Sequence, residues 1–221
     1  MISVLMSKME IGFPMIKEEI IKYINKNTKV TIIPWSFPVE TDSIGLDEYY
    51  KNKIKTKYFD PFLEIGVEEK NINYLNCYKD NFNFMKKSIM NSDILVLTGG
   101  NPEMFYDKVV STGLLNTIKN FNKIIIGSSA GAELQLSDYF ITAENNYYKK
   151  FDWYKGFGVI NNPFFFDVHS LNDEKYLTQF NEIAKNKQKD VYAIFNDGVI
   201  IYNRENDNVQ LYGNVLLFPY K

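Results

Sequence analysis

The chain has 221 residues, a formal net charge of −2 and 45% apolar residues, which fits one α/β domain with a substantial core. Arg204 is the only arginine and no basic patch stands out, so nucleic acid is not an expected partner. Cys77 is the only cysteine, which excludes an internal disulfide and a cysteine-based zinc site; no apolar run reaches the roughly 18 residues of a membrane span.

Ile2–Met6 reads as a first strand. No basic region precedes it, so it does not read as a secretory leader, and a cytoplasmic location is the default. Gly12-Phe13-Pro14 is expected to break the chain before a helix over Met15–Ile24, whose Ile16, Ile20, Ile21 and Ile24 recur at helical spacing. A second strand, Lys29–Ile33, stops at Pro34. Trp35 follows its carboxyl end, either as a substrate contact in a crevice loop or as an aromatic closing the core. A helix over Leu46–Ile54, a strand over Ile72–Cys77 and a helix over Asn81–Met90 come next, the last with Phe82, Met85, Ile89 and Met90 as inward positions. The apolar strand Asp93–Leu97 ends in Thr98-Gly99-Gly100-Asn101-Pro102. Asn101 is placed to cap a helix with Pro102 in its first turn. Helices over Pro102–Val109 and Leu114–Asn120 lead to a strand at Ile124–Ile126.

Ser137–Asn146 reads as a polar loop. The aromatic patch Tyr147–Tyr154 follows, as a cover for a cleft or as a core or subunit contact. Gly156–Ser170 carries the only histidine, His169, and Glu174–Lys187 reads as a helix. The tail reads as antiparallel strands with a hairpin turn at Asn196-Asp197-Gly198 and a second turn at Glu205–Asn208. Strands separated by helices imply a doubly wound, mostly parallel α/β sheet with antiparallel C-terminal strands. One domain over residues 1–221 accounts for the whole pattern.

The stretch with chemical content is Lys123–Leu134, KIIIGSSAGAEL. A buried strand, a tight G-x-S-x-G turn and a helix start put Ser129 at the apex of a nucleophile elbow. A serine hydroxyl needs a base, and a histidine base can only be His169. Its acidic partner is open among Glu133, Asp138, Glu144, Asp152, Asp167 and Asp197. Gly99-Gly100 is either a plain strand-end turn or a source of backbone N–H groups for an oxyanion hole.

These residues resemble peptidase family S51, the group of peptidase E and the cyanophycinases. The resemblance rests on Leu5-Met6-Ser7, Ile32-Ile33-Pro34, T-G-G-N at Thr98–Asn101, G-x-S-A-G-A at Gly127–Ala132, D-x-H at Asp167–His169 and the D-G turn at Asp197. It implies a three-layer, class I glutamine amidotransferase-like (flavodoxin-like) fold. It implies a serine peptidase with Ser129 as nucleophile, His169 as base and Glu144 as acid, with Asp167 in reserve. The oxyanion donors would be the N–H groups of Gly100 and Ala130. Gly99, Asn101, Trp35, Asp167 and Lys175 are candidate substrate contacts. The implied substrate is a short peptide or dipeptide, with no metal or cofactor; a homodimer is the other expected partner, and a membrane is not. Peptidase E carries an arginine soon after the histidine that recognises aspartate, whereas this chain reads Leu171-Asn172-Asp173-Glu174-Lys175. Hydrolysis of a different amide, or ligand binding without turnover, therefore stays open.

Overall fold

The structure, a computed structural model, describes residues 1–37, 43–142, 148 and 150–221. Its centre is a set of short apolar strands. In β1 (Ile2–Met6), β2 (Val30–Ile33), β4 (Ile94–Leu97) and β5 (Ile124–Ser128) every residue is buried, as in strands covered on both faces. Successive side chains point to opposite faces. Leu5, Ile33, Leu95, Leu97 and Ile125 enter one core, and Val4, Ile32, Val96, Ile124 and Ile126 enter the other. The second core is closed by α1 (Met9–Ile21) and a helical run over residues 43–64 that begins with α2 (Ser43–Tyr49) and ends with α3 (Asp60–Glu64). The first is closed by α4 (Phe82–Asn91), α5 (Pro102–Ser111), α6 (Leu115–Lys119) and α8 (Glu174–Lys187). The result is a three-layer α/β fold, and no helix among the described residues is long and apolar enough to cross a membrane.

The strand order is β10-β9-β1-β5-β4-β2-β3, with β3 at Ile72–Tyr74, β9 at Val191–Asn203 and β10 at Asn208–Phe218. β1, β5, β4, β2 and β3 run parallel, and β9 and β10 extend the sheet antiparallel. β9 uses one edge twice. Its residues 191–194 pair in parallel with β8 (Phe165–Val168), and its residues 199–203 pair antiparallel with β1. The carboxyl ends of β1 and β8 therefore face each other across residues 195–198 of β9. The two segments that leave those ends, beginning at Ser7 and His169, are brought together by this pairing.

Several expectations are corrected. Gly12-Phe13-Pro14 lies inside α1. Met9, Gly12, Phe13, Ile16 and Ile20 form a buried helical stripe, and that burial outweighs the backbone bond Pro14 cannot make. Gly12 is required by close packing, since a Cβ there would lie 2.8 Å from Val199 Cγ2. Asn196-Asp197-Gly198 makes no hairpin; it lies within β9, where Gly198 pairs with Gly213 and the ladder to β10 shifts register before resuming at Ile194 and Val215. Two further strands, β6 (Asp138–Ile141) and β7 (Asp152–Lys155), form a separate antiparallel pair where a polar loop and an aromatic patch were expected. Trp153 of the patch packs into the core, meeting Phe165 edge-on at 5.0 Å and Phe140 at 5.4 Å, while Tyr148 lines a cleft with Ser129; Tyr147 and Lys149 lie outside the described residues. The helix expected at Leu46–Ile54 is part of the longer run, which widens into π-helical turns at Tyr50–Phe59. The strand at Ile72–Cys77 ends at Tyr74. Phe82 and Met90 on α4 face solvent, while Met85 and Ile89 are buried.

Candidate active site

β5 ends at Ser128 and the short helix α7 (Ala130–Glu133) begins at Ala130. Ser129 between them has φ 50° and ψ −124°, a conformation that costs a residue bearing a Cβ on the order of 1–3 kcal/mol. Its N–H donates to Met6 O at 2.8 Å. The turn is tight because α7 leaves directly over the sheet. A Cβ on Gly127 would sit 2.1 Å from Gly131 O, and one on Gly131 would sit 2.1 Å from Leu97 O. Those positions exclude any other residue without a backbone shift.

Ser129 Oγ lies 2.9 Å from His169 Nε2. His169 Nδ1 lies 2.8 Å from Asn196 Oδ1. With Oδ1 as acceptor, Nδ1 carries the ring proton and Nε2 presents its lone pair to the serine hydroxyl. His169 follows β8 and itself has φ 56°. Its N–H donates to Ser7 Oγ at 2.8 Å, and the Ser7 hydroxyl donates to Ile194 O at 2.9 Å. Ser7 thus ties together the three strands of the fork. Burial is the largest influence on the His169 ring and lowers its pKa from 6.5. The Asn196 bond opposes that shift, while the positive charges of Lys8 and Lys57 add to it.

The Gly99-Gly100 turn is fastened to the elbow by Tyr58, whose buried hydroxyl accepts from Gly99 N–H at 3.0 Å and lies 2.8 Å from Ser128 Oγ. Gly100 has φ 141°, and a Cβ there would fall 2.3 Å from Ser36 O. Neither Gly100 nor Ala130 donates its N–H to a described residue.

The remaining sequence candidates separate clearly. Glu144 lies outside the described residues. Asp167 is buried and makes no bond to His169; its carboxylate accepts from Ser170 Oγ at 2.7 Å and Thr142 Oγ1 at 3.4 Å. Trp35 is fully buried, its indole N–H donating to Leu75 O at 2.8 Å, so it closes the core. Asn101 caps α5 by accepting from Met104 N–H at 2.8 Å. Lys175 stands in the exposed first turn of α8 and lines neither cleft beside Ser129. Arg204 donates to Phe121 O and Lys123 O, so the one guanidinium is engaged elsewhere. Tyr58 and Asn196 carry no local signal of a place at the site; Ser7 stands in the Leu5-Met6-Ser7 strand end, which carries no signal of its bond to His169. Glu133 was visible as one acid among several.

A serine elbow meeting a histidine at the carboxyl edge of a mostly parallel sheet is the arrangement of serine-dependent hydrolases on α/β folds. Residues 3–211 match the model of peptidase family S51; the chain belongs to that family and is a peptidase by that membership. Solved structures share its fold. A peptidase E-like protein from Listeria monocytogenes EGD-e superposes with a TM-score of 0.62 at 19% identity, over 95% of this chain and 96% of its own. A peptidase from an acI-B1 actinobacterium gives 0.68 at 17% identity, over 100% of this chain and 91% of its own. No curated protein matches the sequence.

Two outcomes follow from the site's construction. Ser7→Ala leaves His169 N–H and Ile194 C=O without their shared partner and should lower the unfolding free energy by about 1–3 kcal/mol in a denaturant titration. Glu133 is buried, and both burial and Asp167 push its carboxyl well above 4.5. The folded state then holds a proton that the unfolded state releases, so stability falls as pH rises above the unfolded value toward the folded one. Glu133→Gln removes that loss, and its gain in Tm should be larger at about pH 8 than at about pH 4.5; an equal gain at both would contradict a raised Glu133 pKa.

Proposed function

We propose that the protein hydrolyses short peptides by acyl transfer through Ser129. The observation that carries this reading is the 2.9 Å contact between Ser129 Oγ and His169 Nε2 at a strained elbow. His169 takes the hydroxyl proton as Oγ attacks the peptide carbonyl, and the C–O bond forms as the carbonyl pair moves onto oxygen. The N–H groups of Gly100 and Ala130 receive that oxyanion, each worth about 3–4 kcal/mol in comparable sites. His169 then gives its proton to the leaving amine as the C–N bond breaks. Water attacks the acyl-enzyme by the same route and restores Ser129.

The relay supported among the described residues is Ser129–His169–Asn196. Asn196 fixes the ring tautomer and orientation, as asparagine does in some cysteine peptidases. An amide carries no charge to hold an imidazolium, which accords with the lowered His169 pKa. Glu144, the acid implied by family resemblance, is the competing partner. The arginine clamp of peptidase E has no counterpart among the described residues, because Arg204 donates to Phe121 O and Lys123 O and Lys175 lines neither cleft at Ser129.

Initial rates on a panel of di- and tripeptides test the reading. Cleavage should disappear in Ser129→Ala, with a loss on the order of 10³-fold or more. Since the neutral ring is the base, the acidic limb of kcat/KM should lie below pH 6.5. Asn196→Asp places a carboxylate beside Nδ1 and should move that limb upward. A limb that responds to Glu144→Gln and ignores Asn196→Asp would assign the third position to Glu144.

A further inference from the structure

Two clefts meet at the serine, and Gly100, Ser129 and His169 line both. Their charges differ. One, of about 350 Å³, is lined by Lys8, Lys53 and Lys57, with Glu10 held by Lys57 at 2.8 Å. The other, of about 240 Å³, is lined by Glu133 and Asp167, and by no lysine or arginine among the described residues. Apolar groups of Ile141, Val168 and Leu171 complete much of its wall, which keeps the dielectric around the two carboxyls low.

Within this second cleft the two acids are not equivalent. Asp167 is held by the hydroxyls of Ser170 and Thr142. Glu133 is only 5% exposed, lines the cleft, and makes no side-chain hydrogen bond to any described residue. A buried polar group left in this state opposes folding. The Glu133 oxygens are not among the fully buried side-chain atoms that lack a partner; they open onto the cleft. Burial and the negative charge of Asp167 both disfavour its ionised form, and a cation between the two groups would reverse both effects.

We propose that this cleft binds an ammonium-type cation of the substrate, with Glu133 and Asp167 as its counter-charges. The proposal rests on the peptidase reading above and narrows its substrate class. The cation has two possible sources, the α-ammonium of a free N-terminus and the side chain of a basic residue. Either must sit close to the scissile bond, because the cleft that holds the carboxyls also holds Ser129 and His169.

The test is a binding titration on the full chain carrying Ser129→Ala, which prevents turnover. Three probes are compared: alaninamide, which offers only an α-ammonium; Nα-acetyl-lysinamide, which offers only a side-chain ammonium; and Nα-acetylalaninamide, which is neutral. At least one cation should bind about tenfold or more tighter than the neutral probe, and that advantage should be lost when Glu133→Gln is added. Binding of alaninamide identifies the α-ammonium as the source, and binding of Nα-acetyl-lysinamide alone identifies the side chain. Equal binding of all three, an advantage that survives Glu133→Gln, or no binding of either cation at tens of millimolar (roughly −2 to −3 kcal/mol) each overturns the proposal. Peptide hydrolysis by the unaltered chain separates this from failure of the peptidase reading. Ser129-dependent cleavage with no cation preference removes the cation site alone, whereas a cation site without Ser129-dependent cleavage removes the peptidase reading alone.

Discussion

Ser129 occupies a backbone conformation that side-chain-bearing residues avoid, and the surrounding structure is arranged to keep it there. A positive φ at the apex lifts the hydroxyl off the sheet edge. Holding that turn requires three backbones to approach within contact: the end of β4 at Leu97, the turn at Gly127 and the first residues of α7 at Gly131. The glycines are consequences of that approach. The bond from Ser129 N–H to Met6 O ties the apex to β1, so the strand that opens the chain is also a support of the elbow. Tyr58 adds a brace from the opposite layer, joining Ser128 to the Gly99 turn. The proposed nucleophile and the proposed oxyanion donors are thereby referred to a single frame, which is what electrostatic preorganisation needs.

His169 is positioned by a different device, the shared edge of β9. A strand that pairs with β8 over one half and β1 over the other must leave a short interval where neither partner continues. Ser7 and His169 emerge into that interval from opposite directions, and one hydroxyl satisfies a donor on one segment and an acceptor on another. Asn196 lies in the same interval and reaches Nδ1. The interval therefore supplies both the backbone anchor and the ring partner of the histidine. β10 pairs with β9 on both sides of it, at Gly198–Gly213 and Ile194–Val215, with a shift of register between.

Much of this was legible from residues alone because it depends on local chemistry. The all-apolar strands, the Asn101 cap with Pro102, the helix at Glu174–Lys187 and the G-x-S-x-G turn each carry their own physical signal. What escaped reading depends on partners distant in sequence. Asn196-Asp197-Gly198 has the composition of a tight turn, but a strand that bridges two others is held by pairing that no short window reveals. Gly12-Phe13-Pro14 looks like a break, and burial of the Met9, Gly12, Phe13, Ile16 and Ile20 stripe in a core shared with distant segments makes a helix there favourable. The choice of Asn196 as ring partner was hidden for the same reason, since it follows from where β9 changes neighbours. Glu133 was visible as an acid beside the elbow, yet the absence of a hydrogen-bond partner for it among the described residues is a property of the folded cleft.

The central claim is that Ser129 is an activated nucleophile poised by His169. Exposure of the folded protein to a fluorophosphonate, followed by mass spectrometry of the peptide containing Ser129, tests it without knowledge of the substrate. A single covalent adduct is expected at Ser129, its formation suppressed in His169→Ala, because an unassisted serine hydroxyl reacts poorly near neutral pH. Absence of labelling, or labelling at Ser129 that proceeds equally well without the imidazole, would contradict it.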